Sequence, residues 1–306
     1  MKIGFGTWAL GGETTLGGKP IGWGPTDENT SLTALQIALE QGITFFDTAD
    51  IYGAGRAETL LGKAISNSQY DVNICTKCGN REDNNGKAFQ DFSPEWITTS
   101  LEGSLRRLKR EQVEILLLHG PPIEFHFSDE LRICLDELLK SGKLGAYGVS
   151  VKNVSSAERV LEANFGTVIE GIYNLLDRRM EEAVLPELIL RKKIFISRMP
   201  LASGFLSLEK DFNFPQSDFR HHLPESDREW RIQSVNRLKS LLKDGESLSE
   251  LALRFCLSQP GINFVIPGMR NPEQVLANLE ASKLGPLSSP IIQQIKQIIL
   301  QTFSGW

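Results

Sequence analysis

The chain has 306 residues, a length that fits either two ordinary domains or one α/β barrel with insertions. Hydrophobic residues make up 41% and charged residues 23%, which excludes wholesale disorder, and a net charge of −5 argues against a nucleic-acid partner. The start MKIGFGTWALGG has no apolar core of signal-peptide length and nowhere do about 20 apolar residues run together, so neither secretion nor membrane spanning is expected.

In chain order, eight short β-branched or aliphatic runs alternate with longer segments of helical period. They are Gly4 to Trp8, Thr44 to Asp47, Val72 to Thr76, Ile115 to His119, Ala146 to Ser150, Val168 to Tyr173, Ile194 to Pro200 and Phe264 to Pro267. This repetition predicts one (β/α)8 barrel occupying residues 1–306, with mouth loops and a C-terminal helix. Ser93 followed by Pro94 marks a helix start, and Ile97, Leu101, Leu105 and Leu108 form its apolar stripe. Ser128 caps the next predicted helix, which Gly142 ends. The basic cluster Arg106, Arg107, Lys109 and Arg110 falls at a helix end and reads as solvated surface. Two excursions interrupt the alternation: Gly11 to Asp27 after the first strand, and Phe212 to Trp230, which reads as a partly mobile flap at the barrel mouth. Within it, Arg220, His221 and His222 are expected to face solvent, with contact to an anionic or sugar-like substrate as the competing role.

Cys75, Cys78, Cys134 and Cys256 are too few and scattered to staple the chain, which suits a reducing, cytoplasmic compartment. Cys75 and Cys78 fall in a predicted strand, where residues three apart lie roughly 10 Å apart, so they read as buried thiols and not as a redox pair.

The chemistry is carried by the ends of the strands. Asp47 closes the second, Lys77 the third and His119 the fourth, so their backbones fall within roughly 10 Å at the face where barrels place active sites. Tyr52 follows Asp47 by one short loop. A phenol titrates near 10, and an adjacent ammonium from Lys77 is expected to lower that value, with Asp47 holding the ammonium and His119 donating a hydrogen bond to a carbonyl oxygen. Taken singly, these residues also read as a salt bridge, a rim aromatic and a core histidine. A metal-dependent hydrolase using His119, Asp47 and Glu170 has poor support, because no HxH or HExxH pair occurs, and no metal is expected.

Together with FFDTADIYG and its trailing AETLLGKAI, the runs ICTKCG, LLLHGP, GKLGAYGVS, IYNLLDRR, PLASGFLS and VIPGMRNPEQVLANLEA resemble the aldo-keto reductases from Gly4 to about Leu284. The resemblance implies a catalytic tetrad of Asp47, Tyr52, Lys77 and His119, and hydride transfer from a reduced nicotinamide to a small aldehyde or ketone, with the tyrosine as acid. Some relatives serve chiefly as nucleotide-binding regulatory subunits, which is the alternative function. Oligomeric state and substrate identity are not legible.

The resemblance also implies a cofactor site. The helix opened by Asn271 and Pro272 after the eighth strand offers an anion-binding terminus, and the family grips the adenosine phosphate end there, which nominates Gly268, Arg270, Gln274 and Asn278. Arg270 suits the extra 2′-phosphate of NADPH, whereas a helix cap for Gln274 and a solvated loop position for Arg270 are the competing readings. No G-x-G-x-x-G follows a strand, so a Rossmann site is excluded. Ser150 is assigned to the nicotinamide carboxamide, with Asp47, Tyr173, Gly6, Thr7, Trp8, Arg198, Pro200 and Leu201 as further lining; Trp8 equally suits a core plug. The pattern departs from the family at two points: Val151 stands where an Asn is common and Glu170 where a Gln is common. Glu170, if it faces the ring, can hold the amide NH2 but not its carbonyl and favours the oxidised nicotinamide; the competing reading is a register in which it points to the other face.

Overall fold

In a computed structural model, which describes residues 2–66, 69–207, 212–214 and 219–300, the eight runs pair in chain order into one parallel sheet. The strands are β1 (Phe5–Gly6), β2 (Phe45–Asp47), β3 (Asn73–Cys78), β4 (Val113–His119), β5 (Leu144–Ser150), β6 (Val168–Ile172), β7 (Ile194–Arg198) and β8 (Phe264–Ile266). The amides of Gly4 and Gly6 donate to the carbonyls of Val265 (2.8 Å) and Pro267 (3.0 Å), which joins the first strand to the last. The result is an eight-stranded β/α barrel with helices between the strands. Gly6 is required at that seam, since a Cβ there would lie 3.0 Å from the Ile266 carbonyl oxygen and 3.1 Å from that of Pro267.

Strand alternation divides the core in two. Phe45, Cys75, Ile115, Leu117, Val168, Ile196 and Ile266 fill the barrel interior, where Phe45 and Phe264 stack at 3.9 Å. The opposite faces of the same strands supply Phe46, Ile74, Leu116, Leu118, Val149, Ile169, Phe195 and Val265 to the larger core beneath the helices. Cys75 and Cys78 lie on these two different sides, both buried and both free thiols, as their spacing in a strand requires.

The capping signals act where the sequence places them. Ser93 accepts from the Trp96 amide and opens the helix Pro94–Leu108, whose Ile97, Leu101, Leu105 and Leu108 are all buried. Ser128 accepts from the Leu131 amide and opens Asp129–Lys140, after which Gly142 turns with φ of +74°. The basic cluster is not wholly solvated: the Arg107 guanidinium reaches inward to the buried Glu58 at 2.7 Å.

Several boundaries move. The first strand ends at Gly6, because Trp8 belongs to a 3-10 turn, Trp8–Leu10; Lys77 lies inside β3, and Tyr173, Pro200 and Pro267 fall just beyond their strands. The stretch from Phe212 to Trp230 is not a bare flap where it is described. It contains a 3-10 turn, Phe219–His222, and the start of a helix, Glu225–Lys239, which Arg231 anchors from a fully buried position over the Phe205 ring; residues 215–218 lie outside the described residues. The excursion from Gly11 to Asp27 carries a small hairpin, Thr15–Leu16 with Lys19–Pro20. No helix among the described residues is long and apolar enough to cross a membrane.

Candidate active site

The inner positions of the strands change character at their carboxyl ends. On β2, β3, β4, β6 and β7 the apolar fillers Phe45, Cys75, Leu117, Val168 and Ile196 are followed two residues later by Asp47, Lys77, His119, Glu170 and Arg198. Register aligns them across the sheet: His119 pairs with Ser150, and Ser150 pairs with Glu170. A hydrophobic plug therefore carries a polar layer, the arrangement that barrels use for chemistry.

Lys77 stands at the centre of that layer with none of its side chain exposed. Its ammonium lies 2.5 Å from Asp47 Oδ1, 3.0 Å from the Thr48 carbonyl oxygen and 3.4 Å from Glu170 Oε2. Burial pulls its acidity the other way, but the charges of Asp47 and Glu170 outweigh it and hold the group cationic well above the ordinary lysine range. Burial, and then the charge of Glu170, push the Asp47 carboxyl well above its usual range against the pull of Lys77. Glu170 thus faces the interior, not the helix layer, which resolves its register; the Ser150 hydroxyl donates to its Oε1 at 2.9 Å.

Asp47, Cys75 and Glu170 bring three potential ligand atoms within 4.8 Å of one another. The Lys77 ammonium lies within ion-pair distance of both carboxylates, so one positive charge is shared between two negative ones.

The Tyr52 ring lies 5.2 Å from the Lys77 ammonium and 6.0 Å, edge to face, from the His119 ring. The sequence expectation that Lys77 makes this phenol more acidic is corrected in sum: the ammonium does lower its pKa, but burial first, helped by Asp47 and Glu170, drives the net shift upward. His119 is held neutral, because burial and then the charges of Lys77, Arg198 and Lys152 push its pKa well below the ordinary value. A neutral imidazole still donates one hydrogen bond, and which ring nitrogen carries the proton follows from its partners.

These side chains surround a cavity of about 250 Å³, lined by Tyr52, His119, Ser150, Glu170 and Arg198, joined by Asn80, Gln90 and Lys152.

 A separate cavity of about 350 Å³ lies beyond Gln90, lined by Phe92, Pro122, Phe125 and His126. Sequence reasoning missed Asn80, Gln90 and Lys152. Lys152 was within reach, two residues beyond Ser150, but Asn80 and Gln90 meet only through a hairpin, Asn80–Glu82 with Ala88–Gln90, which no pattern announced. Both amides donate to the His119 carbonyl oxygen, at 3.2 and 3.1 Å, and so fix the end of β4. Trp8 stands at the rim, with its ring 6.5 Å from Tyr52 and 5.3 Å from Trp23, and its indole donating to the Ile21 carbonyl.

The other nominated residues divide. Thr7 is buried and donates its hydroxyl to the Asp47 carbonyl, which ties the seam of the barrel to the polar layer. Arg198 faces the cavity and donates to the Val151 carbonyl at 3.1 Å. Tyr173 is brought elsewhere: its ring stacks on Phe255 and its hydroxyl meets Glu181 and Gln259 among the helices, because three residues after the inward Glu170 a side chain points outward. Pro200 is buried and Leu201 half-buried just past β7; neither lines the cavity. After β8, Asn271 caps the helix Pro272–Lys283, while Gln274 accepts from the Arg270 amide at 2.8 Å. Gly268 and Arg270 are exposed there and Asn278 is buried. Arg220, expected in solvent, is half-buried, with its guanidinium 4.4 Å from the Phe214 ring and bonded to the Ser203 carbonyl; His221 and His222 are exposed.

Three buried polar atoms of the lining, His119 Nδ1, Glu170 Oε2 and Arg198 Nε, have no hydrogen-bond partner among the described residues, although Glu170 Oε2 retains its ion pair with Lys77. Such atoms fit a polar planar group such as a carboxamide-bearing ring.

The chain is 33% identical to the aldo-keto reductase YhdN of Bacillus subtilis, over 99% of this chain and 91% of that one. Its fold matches the glycerol dehydrogenase AKR11B4 of Gluconobacter oxydans with a TM-score of 0.83 at 27% identity, covering 98% and 92% of the two chains. It also matches an aldo-keto reductase of Klebsiella pneumoniae solved with NADPH, with a TM-score of 0.70 at 21% identity, covering 97% and 90%. The model of the aldo/keto reductase family matches residues 2–300, and the chain belongs to that family of oxidoreductases.

Proposed function

We propose that the protein reduces a small aldehyde or ketone to an alcohol with NADPH, and that Tyr52 is the general acid. The observation that carries this reading is that Tyr52 and His119 line one cavity at the barrel mouth, with the Lys77 ammonium 5.2 Å from the Tyr52 ring and paired to Asp47. The cofactor, when bound, supplies the hydride. The exposed Arg270 and the helix terminus beside Gln274 offer charge and amide donors to its phosphates, and a guanidinium suits a 2′-phosphate. Ser150 and Glu170 line the cavity and would accept hydrogen bonds from the carboxamide NH2 of the cofactor.

The chain's own groups then handle the substrate oxygen. His119 and Tyr52 border one edge of the cavity and are suited to donate to it. As the carbonyl becomes an alkoxide, Tyr52 gives up its phenolic proton, and the alcohol leaves with it. An upward-shifted phenol keeps that proton throughout the neutral range and still yields it to the far more basic alkoxide. Lys77 compensates the phenolate that remains, held in place by Asp47 and the Thr48 carbonyl.

A panel of small aldehydes and ketones with NADPH, followed by loss of nicotinamide absorbance, tests the reading. Turnover is expected, with kcat reduced by about 10² to 10⁴ in Tyr52→Phe while NADPH binding persists. Tight nucleotide binding without turnover across the panel would reject it and point to a regulatory subunit.

A further inference from the structure

The tetrad does not use Glu170, yet this carboxylate is buried and shares the Lys77 ammonium with Asp47. The groups facing it are Asp47 from β2, Cys75 and Lys77 from β3, His119 from β4, Ser150 from β5 and Arg198 from β7, with Tyr52 and Lys152 on the surrounding loops. Cys75 is kept as a thiol by burial and His119 is neutral, so at ion-pair distance Asp47 and Glu170 share the Lys77 ammonium, while Lys152 and Arg198 line the same cavity without an ion pair to either carboxylate. Two carboxylates so close resist simultaneous ionisation. A further positive charge in the cavity removes that resistance.

We propose that Glu170 makes occupation of this site by the oxidised, cationic nicotinamide proton-linked: binding of NADP⁺ drives one proton off the Asp47–Glu170 carboxyl pair into solvent, and binding of NADPH, whose ring is neutral, does not. The inference rests on the reductase reading above. No electron moves in this step; one O–H bond of the pair breaks and the proton passes to buffer. Its consequence is a site that prefers the oxidised nucleotide increasingly as pH rises.

Calorimetric titration of the full chain with each nucleotide at pH 7, in buffers of different ionisation enthalpy, reads the protons directly. Wild type should release roughly 0.5 to 1 proton more with NADP⁺ than with NADPH. Taking the difference cancels linkage at the 2′-phosphate, which both nucleotides carry. In Glu170→Gln that difference should vanish, and the ratio of the NADP⁺ to NADPH dissociation constants should rise about tenfold or more. Equal proton release by the two nucleotides in wild type overturns the inference whether or not the variant folds, as does an unchanged ratio in a folded Glu170→Gln. Failure of wild type to bind either nucleotide overturns the reductase reading and this inference together, whereas binding without the proton difference overturns the inference alone.

Discussion

Replacing Lys77 by methionine removes the ammonium and leaves its aliphatic volume largely filled. At separations of 2.5 and 3.4 Å from Asp47 and Glu170, the gross attractions are about 7 and 5 kcal/mol at an effective dielectric of about 20. Burying three charged groups offsets most of that gain, so the net destabilisation expected is about 3 to 5 kcal/mol, the usual cost of stranding a buried charge. The loss should depend on pH. Asp47 already has its folded pKa raised above the unfolded value, and losing Lys77 raises it further. Stability from such a group is complete below the unfolded pKa and is lost as pH rises through the folded one. Urea unfolding of wild type and Lys77→Met at pH 5 and pH 8 measures this. The deficit should be largest at pH 8 and shrink at pH 5, and reductase turnover should be lost at both. A deficit under about 1 kcal/mol at pH 8, or one of equal size at the two pH values, would refute the charge-balance argument.

Arg270→Ala should weaken NADPH binding about tenfold while leaving NADH binding nearly unchanged, as fluorescence titration with both nucleotides would show. Because Tyr52 is shifted upward, reduction should be nearly flat from pH 6 to 8, whereas alcohol oxidation, which needs the phenolate, should climb with pH; initial rates in both directions check this. Burial lifts the Asp50 carboxyl to about 7 despite the hydroxyl of Ser100 at 2.8 Å, so wild type should lose stability as pH rises from about 4 to 7. Asp50→Asn should therefore be more stable by about 1 to 2 kcal/mol at pH 8, less than full linkage allows, and show no gain at pH 4, measured by denaturant unfolding at each pH.

Strand order and the positions of Asp47, Tyr52, Lys77 and His119 were legible because parallel strands in sequence order leave little freedom: a side chain at a strand end has one rim to occupy. Boundaries were less legible. Trp8 and Tyr173 continue their apolar runs in sequence, yet one enters a 3-10 turn and the other points among the helices, since periodicity does not mark where a strand's hydrogen bonds stop. The helix Glu225–Lys239 was hidden by its mostly polar composition, and its buried Arg231 gave no apolar signal.

The sequence by itself determined the barrel and which residues stand at its mouth, because alternation and spacing act locally and repeat eight times. Only the tertiary structure decided the electrical state of that mouth. The acidity of Tyr52, the neutrality of His119 and the raised carboxyl of Asp47 beside Lys77 depend on burial and on charges brought from five strands, and solvent exclusion and distance between strands are not properties of any one segment.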